Sequence, residues 1–259
     1  MSVFRISLLQ VGLVWENPVA NLDYIEKKIK GLNGRSDAVL LPEMFSTGFT
    51  MNSSQWAQTM DGTSVDWMKR ISAETGMALG GSLIIKDLAG TFNRFVWATP
   101  EGKLSYYDKR HLFFLERDSG AYASGKRRVV VEYKGLRILL AICYDLRFPV
   151  WLRNRNDYDA IFIVANWPSA RRQVWIKLLM ARAIENQCYV CAVNRIGSDE
   201  NGITYTGDTM VCDMKGEIMR AAENENEEII TAELDTDALF AFREKFPVWR
   251  DADDFEIKF

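Results

Sequence analysis

The sequence predicts an α/β fold in which two stacked sheets are flanked by helices. Three observations point there. Short apolar runs of strand length alternate along the chain with stretches whose apolar residues recur at helical spacing. The strand-like runs outnumber the helical ones, and helices fall on more than one stretch between them, which suits two covered sheets better than one doubly wound sheet. Six scattered prolines, with no internal repeat, low-complexity tract or Pro/Gly/Ser linker, mark no boundary, so residues 1–259 are expected to form a single domain.

The elements follow in order. Phe4 to Gly12 reads as a strand. Asn21 is placed to cap a helix carrying Leu22, Ile25, Ile29 and Leu32 at helical spacing. Ala38 to Leu41 is a short, wholly apolar strand of the kind a doubly covered sheet requires. Thr63 or Ser64 would cap a second helix, ended by Gly76. Met77 to Ile85, Phe92 to Ala98 and Leu104 to Asp108 read as strands. Arg128 to Tyr133 and Leu136 to Ile142 form a hairpin about the turn Lys134-Gly135. Ala160 to Ala165 is another buried strand. The clearest helix runs from Arg171 to Asn186, with Val174, Ile176, Leu178, Leu179, Ala183 and Ile184 forming a broad apolar face. Strands at Tyr189 to Val193, Tyr205 to Cys212 and Glu228 to Leu234 precede a last helix from Asp237 to Phe246 and a polar tail.

Composition narrows the function. The chain is 48% hydrophobic and 26% charged, ordinary values for a soluble globular protein. A formal net charge of -3 offers no attraction to nucleic acid or an anionic membrane. No apolar run approaches the roughly 18–20 residues of a membrane span, and the N-terminus lacks a leader pattern. Four cysteines are too few for a disulfide scaffold in a chain of this length. A reduced, cytoplasmic protein is expected, and Asn52-Ser53-Ser54 is a chance match to a glycosylation acceptor.

No cofactor or metal is expected. The sequence holds no G-x-G-x-x-G, no P-loop and no G-x-S-x-G elbow. The single histidine, His111, excludes a histidine-rich metal site and is the sole possible partner for a Cys-His dyad. Cys188 and Cys191 form a C-x-x-C pair, but in a strand positions three apart point to opposite faces, so buried structural cysteines are the better reading.

Three residues carry chemistry in an informative place. Cys143 ends the apolar run Ile138 to Ile142 and precedes Tyr144-Asp145-Leu146-Arg147, a position at the mouth of a sheet. On spacing alone a core cysteine at a strand end is the better reading, since free cysteine is among the most buried residue types. Glu43 follows the apolar Val39-Leu40-Leu41-Pro42 and is either a surface acid past the strand end or a functional carboxylate. Lys109 lies in Tyr106-Tyr107-Asp108-Lys109-Arg110-His111, and alone it reads as a surface lysine.

Together these segments resemble the nitrilase superfamily of carbon–nitrogen hydrolases, which uses a glutamate, a lysine and a cysteine in that order. Leu41-Pro42-Glu43, Tyr107 to Phe113 and Ile142 to Pro149 match its three segments. Ala165-Asn166-Trp167-Pro168, Ala181 to Gln187, Val193-Asn194-Arg195 and Phe242 to Pro247 are similar to its omega-amidase branch. The resemblance implies a four-layer α-β-β-α sandwich, often dimerised through its helical face. It implies hydrolysis of the terminal amide of short 2-oxo dicarboxylic acid monoamides, with Cys143 as nucleophile, Glu43 as base and Lys109 as oxyanion partner. The Tyr144 N–H would be a second donor. A second glutamate often follows the lysine in this family. Counting from Phe113 and from Gly125 puts Asp118 there, with Glu116 two residues earlier. Arg147 is the candidate for a substrate carboxylate, with a structural ion pair as its other reading, and Trp167 would line the pocket or pack in the core. N-carbamoyl amide or nitrile hydrolysis, or a catalytically silent interaction protein, are the competing functions.

Overall fold

A computed structural model describes residues 3–32 and 35–258. The chain opens with β1 (Val3–Gln10), α1 (Pro18–Lys30), β2 (Ala38–Leu40), the short α2 (Ser53–Trp56), α3 (Thr63–Thr75), β3 (Ala78–Asp87), β4 (Gly90–Ala98) and β5 (Leu104–Asp108). It continues through the one-turn α4 (Phe114–Asp118), β6 (Val130–Tyr133), β7 (Leu136–Ile142), α5 (Pro149–Leu152), β8 (Ala160–Ala165) and α6 (Arg172–Asn186). It closes with β9 (Tyr189–Asn194), β10 (Ile196–Ser198), β11 (Thr204–Thr206), β12 (Met210–Cys212), β13 (Ile218–Ala221), β14 (Glu228–Asp235) and α7 (Thr236–Lys245).

Two six-stranded sheets result. The first has the order β14-β1-β2-β3-β4-β5 and the second β13-β12-β9-β8-β7-β6; β10 and β11 form a separate ribbon. The central strands β1, β2 and β3 are parallel, as are β7, β8 and β9. Strand alternation sorts the core into layers. On β1, Phe4, Ile6 and Leu8 face the second sheet, while Leu9 turns to the helical side, where Ile25 and Ile29 of α1 and Val65, Met68 and Ile71 of α3 meet it. Across the sheet interface Phe162 packs on Phe4 and Trp97, with ring centroids 6.3 and 5.8 Å apart. Trp175, Leu179 and Ala183 of α6 and Leu239 of α7 belong to the same apolar cluster as these inter-sheet residues. The layers are α-β-β-α, as the resemblance implied.

A Cβ on Gly80 of β3 would lie 2.8 Å from Leu40 Cδ2 and 3.0 Å from Trp97 Cε3, so glycine is what allows these inner side chains to close over the strand.

Several local expectations change. Asn17, not Asn21, caps α1, its side chain accepting from Ala20 N at 3.1 Å. Asn21 lies inside the helix and instead joins Val14 and Ser46. Gly62 occupies the N-cap of α3 without a side-chain bond, so neither Thr63 nor Ser64 does, whereas Gly76 ends the helix at φ +70°. The hairpin turn is as expected: Lys134 and Gly135 both take positive φ between antiparallel β6 and β7. Tyr205 to Cys212 is not one strand. Asp208 and Gly207 take positive φ and break it into β11 and β12, and a Cβ on Gly207 would collide with the Gln10 amide. Ile184 is exposed, and the buried aromatic of α6 is Trp175.

Candidate active site

The three chemical segments converge at one end of the sandwich. Glu43 lies just past β2, Lys109 directly after β5 and Cys143 directly after β7. Parallel strands β2 and β7 therefore deliver an acid and a thiol from different sheets to the same carboxyl-end crevice, where sheet proteins place ligands. The turns are sharp. Met44, next to Glu43, has φ +45°, and Cys143 itself has φ +43°. A non-glycine residue in this region costs about 1–3 kcal/mol and persists where the surroundings over-determine it. Here the strained turn lifts Cys143 out of the β7 line as a 3-10 turn, Cys143–Arg147, begins.

Asp145 secures that turn to the lysine segment. It is fully buried and accepts from Ile142 N (3.0 Å), Tyr107 Oη (2.8 Å) and His111 N (3.0 Å). His111 Nδ1 also contacts it at 2.8 Å, and the imidazole stacks on Phe148 with centroids 3.7 Å apart. His111 is thus occupied by Asp145 and Phe148 as a structural link between the two segments.

At the bottom of the crevice Glu43, Lys109 and Glu116 have no exposed surface. Lys109 Nζ donates to Glu43 Oε1 at 2.8 Å and to Glu116 Oε2 at 2.7 Å. Asn93 Nδ2 bridges the same acids, 2.7 Å from Glu43 Oε1 and 3.1 Å from Glu116 Oε1. Asn166 N donates to Glu43 Oε2 at 2.8 Å, Asn166 Nδ2 to Glu43 O at 2.7 Å, and Phe113 N to Glu116 Oε2 at 2.8 Å. Every carboxylate oxygen has at least one donor, which is the condition for burying such charge.

The titration directions follow from this packing. Burial works against the Lys109 ammonium, yet Glu116 and Glu43 outweigh it and hold its pKa above the ordinary value. Burial pushes the Glu116 carboxyl up, Lys109 opposes, and the net shift is upward. Burial and then Glu43 push the Cys143 thiol well above its usual range, against a smaller pull from Lys109. The resting arrangement is a neutral thiol beside a paired carboxylate and a firmly charged ammonium. It can pass a proton from sulfur to carboxylate during attack and can stabilise a nearby developing oxyanion.

A pocket of about 450 Å³, counting its open mouth, leads from Cys143 and Lys109 to solvent. Tyr144, Arg147 and Trp167 all line it. Arg147 has no ion pair among the described residues; its guanidinium lies 5.2 Å from the Trp167 ring centre and 5.9 Å from that of Tyr144. Trp167 is buried and also packs on Trp175, so it belongs to both the pocket and the core.

Asp118 is the correction. Its side chain is 61% exposed and pairs with Arg117 Nε on the surface at 2.8 Å. Residues two apart on a helix point about 200° apart, given 3.6 residues per turn. Because α4 turns Glu116 inward, it necessarily turns Asp118 out. The second acid beside Lys109, after Glu43, is Glu116. Cys188, Cys191 and Cys212 are buried and unpaired, and among the described residues no group of three or more His, Cys, Asp or Glu is placed to hold a metal ion.

Sequence reasoning assigned no role to Asn93, Asn166, Phe113 or Arg171. Two of them carried a signal. Asn93 interrupts the apolar run of β4, and Asn166 follows an apolar strand as Glu43 and Cys143 do. Arg171 lines the pocket and was hidden at a helix start, where a basic residue is unremarkable.

The carbon–nitrogen hydrolase family matches residues 5–244 of the chain. The chain is 45% identical to the omega-amidase YafV of Escherichia coli K12, over 99% of its own length and 100% of the relative's. It is 33% identical to a 2-oxoglutaramate amidase of Bacillus subtilis, over 96% and 97% of the two lengths. Among solved structures, XC1258 from Xanthomonas campestris, a CN-hydrolase superfamily protein with an arsenic adduct in its active site, superposes with a TM-score of 0.96 and 44% identity, covering both chains fully.

Proposed function

The chain belongs to the carbon–nitrogen hydrolase family, and from that premise we propose that it is an omega-amidase. It releases ammonia from the terminal amide of short 2-oxo dicarboxylic acid monoamides such as 2-oxoglutaramate and 2-oxosuccinamate. The observation that carries this reading is the buried Glu43–Lys109–Glu116 cluster set against Cys143 in a chain 45% identical, end to end, to an omega-amidase.

Glu43 takes the Cys143 proton as sulfur attacks the amide carbon, and then hands it to the departing ammonia. The Lys109 ammonium and the Tyr144 N–H stabilise the oxyanion; loss of one such donor typically costs about 10²–10³ in rate. Collapse leaves a thioester on Cys143. Glu43 then activates a water, which releases the acid and restores the thiol. Glu116 fixes Lys109 through its own bond to the ammonium at 2.7 Å. Arg147 receives the substrate carboxylate and Trp167 walls the pocket. The cycle uses only the chain's own residues and water.

Exposed Phe240 and Phe246, on and just after α7, and Ile184 on α6 support a homodimer formed through the helical face. Four unpaired cysteines fit a reduced, cytoplasmic setting. Sedimentation velocity tests the dimer.

The deciding experiment measures ammonia release from 2-oxoglutaramate, 2-oxosuccinamate, glutamine, N-carbamoyl amino acids and simple nitriles. Both 2-oxo amides should be turned over, and Cys143→Ala should abolish turnover while remaining folded. No ammonia from either 2-oxo amide sinks the specific function; normal hydrolysis by Cys143→Ala sinks the nucleophile.

A further inference from the structure

Arginines in this protein are, as a rule, committed. Arg172 holds Asp208 at 2.8 Å, Arg243 and Arg137 hold Asp159 at 2.9 and 2.7 Å, and Arg94 holds Asp108 at 2.6 Å. Arg182 donates twice to Leu146 O and pairs with Glu185 at 3.0 Å. Five guanidinium groups, those of Arg35, Arg127, Arg147, Arg171 and Arg250, have no hydrogen bond or ion pair among the described residues, and of these Arg147 and Arg171 alone line the Cys143 pocket. An arginine carries five N–H donors, so two side chains with none used leave a large unfilled capacity for an anion.

Both are nonetheless held in place. Trp167 serves as their common scaffold. Its ring carries the Arg147 guanidinium at 5.2 Å, and its Nε1 donates to Arg171 O at 2.9 Å, pinning that backbone beside the start of α6. The Arg171 guanidinium lies 5.1 Å from the Phe113 ring centre. Aromatic faces position a guanidinium while leaving its in-plane donors available.

The opposite end of the pocket has the reverse character. There two carboxylates, Glu43 and Glu116, face the single ammonium of Lys109, so the floor has no positive charge to spare for a substrate anion. The largely apolar pocket is asymmetric in charge: it has the uncommitted Arg147 and Arg171 in its lining and a compensated, acid-rich cluster about Lys109 at the nucleophile.

We propose that Arg171 and Arg147 form a two-arginine clamp for the carboxylate end of the substrate, and that this charge gradient presents short anionic monoamides to Cys143 amide-first. The clamp rests on the omega-amidase reading and deepens it, because it explains why the amide farthest from the carboxylate is the one cut. Arg171 is the new member. With Arg147 it brackets the carboxylate and the neighbouring 2-oxo group, whose three oxygens need more donors than one guanidinium aims in a single direction.

The test is direct binding, so that it does not depend on turnover. 2-Oxoglutarate is titrated by calorimetry into Cys143→Ala and into Cys143→Ala carrying Arg171→Gln or Arg171→Lys. The Arg171→Gln form should bind at least about tenfold more weakly, the lower end for a lost charge-assisted hydrogen bond, and the Arg171→Lys form should recover part of the loss. Binding to the parent should weaken with added salt, and Arg171→Gln should flatten that dependence. A merely structural role for Arg171 would leave the salt dependence alone. Binding by Arg171→Gln within twofold of the parent, an unchanged salt slope, or no 2-oxoglutarate binding by the parent overturns the clamp. Failure of the enzyme to release ammonia from 2-oxo amides would overturn the proposed function instead, and the two results are separable.

Discussion

Cys143, the proposed nucleophile, is a thiol that its surroundings push toward the protonated form. Burial and the nearby Glu43 carboxylate push the thiol well above its usual range, and Lys109 only partly offsets them. The residue therefore differs from cysteines that wait as thiolates beside a cation. In the proposed mechanism proton transfer to Glu43 accompanies attack, and that mechanism makes two predictions. Alkylation by iodoacetamide should be slow at neutral pH and should still be accelerating above pH ~8.5, where an ordinary cysteine is half ionised; a plateau near neutrality, read from the rate of inactivation, would contradict a protonated resting thiol. Glu43→Gln should lower kcat by about 10²–10⁴, the usual range for a general base. Circular dichroism should show a retained fold, since the amide keeps an acceptor for Lys109.

At the scale of elements, the short α4 decides which acid completes the site. Glu116 is fully buried against Lys109 and Asn93, and Asp118 faces solvent. Glu116→Gln should lower kcat/KM at least about tenfold, because a charge-assisted bond to a buried ammonium is lost. Asp118→Asn should leave kcat/KM within about twofold, since an exposed pair contributes little. Steady-state kinetics on 2-oxoglutaramate separates the two acids. The helical layer has its own signature. Glu26 on α1 accepts from Arg70 and Trp67 of α3, and Arg70 above all, aided by Lys30, holds its pKa down at about 2 from an ordinary 4.5. A carboxyl depressed on folding stabilises above its unfolded pKa and loses that contribution as pH falls through the folded one. The urea midpoint should thus drop between pH ~4.5 and ~2, and Glu26→Gln should flatten this part of the profile. The same scale explains what could be read in advance. Long periodic segments such as α6 and the alternating strands were legible because burial imposes their period. Glu116 and Asp118 were not separable, because one turn of helix carries no periodicity and a shift of two residues inverts its faces. Asn21 was misplaced as a cap because a buried asparagine bonded to two loops has the composition of a capping residue. Glu43, Lys109 and Cys143 looked like ordinary strand-end residues singly; their ordered match to one family made them stand out, and Asn93 and Asn166, one interrupting an apolar strand and one just past a strand end, carried a signal of place but none of role.

For the whole molecule, the decisive fact is that the site is split between sheets. Glu43 and Lys109 come from the first sheet, and Cys143 and Asn166 from the second. The approach of Glu43 to Cys143 is therefore set by how the two sheets pack, through side chains far from the site. Phe162 of β8 sits in that interface against Phe4 and Trp97. Met68 of α3 is just as buried but lies between the first sheet and its outer helices. Both Phe162→Ala and Met68→Ala should destabilise by several kcal/mol, within the ranges of about 3–5 for Phe and 2–5 for Met. Their effects on catalysis should differ. A cavity between the sheets lets them settle and shifts Glu43 relative to Cys143, and a misplacement of about 1 Å can cost as much as 10²-fold in rate. Phe162→Ala should therefore lower kcat at least about tenfold at a temperature where near-ultraviolet circular dichroism shows it folded, while Met68→Ala, which opens its cavity on the far side of the first sheet, should stay near the parent. Equal losses in the two variants would mean that the spacing between the sheets does not set the catalytic geometry.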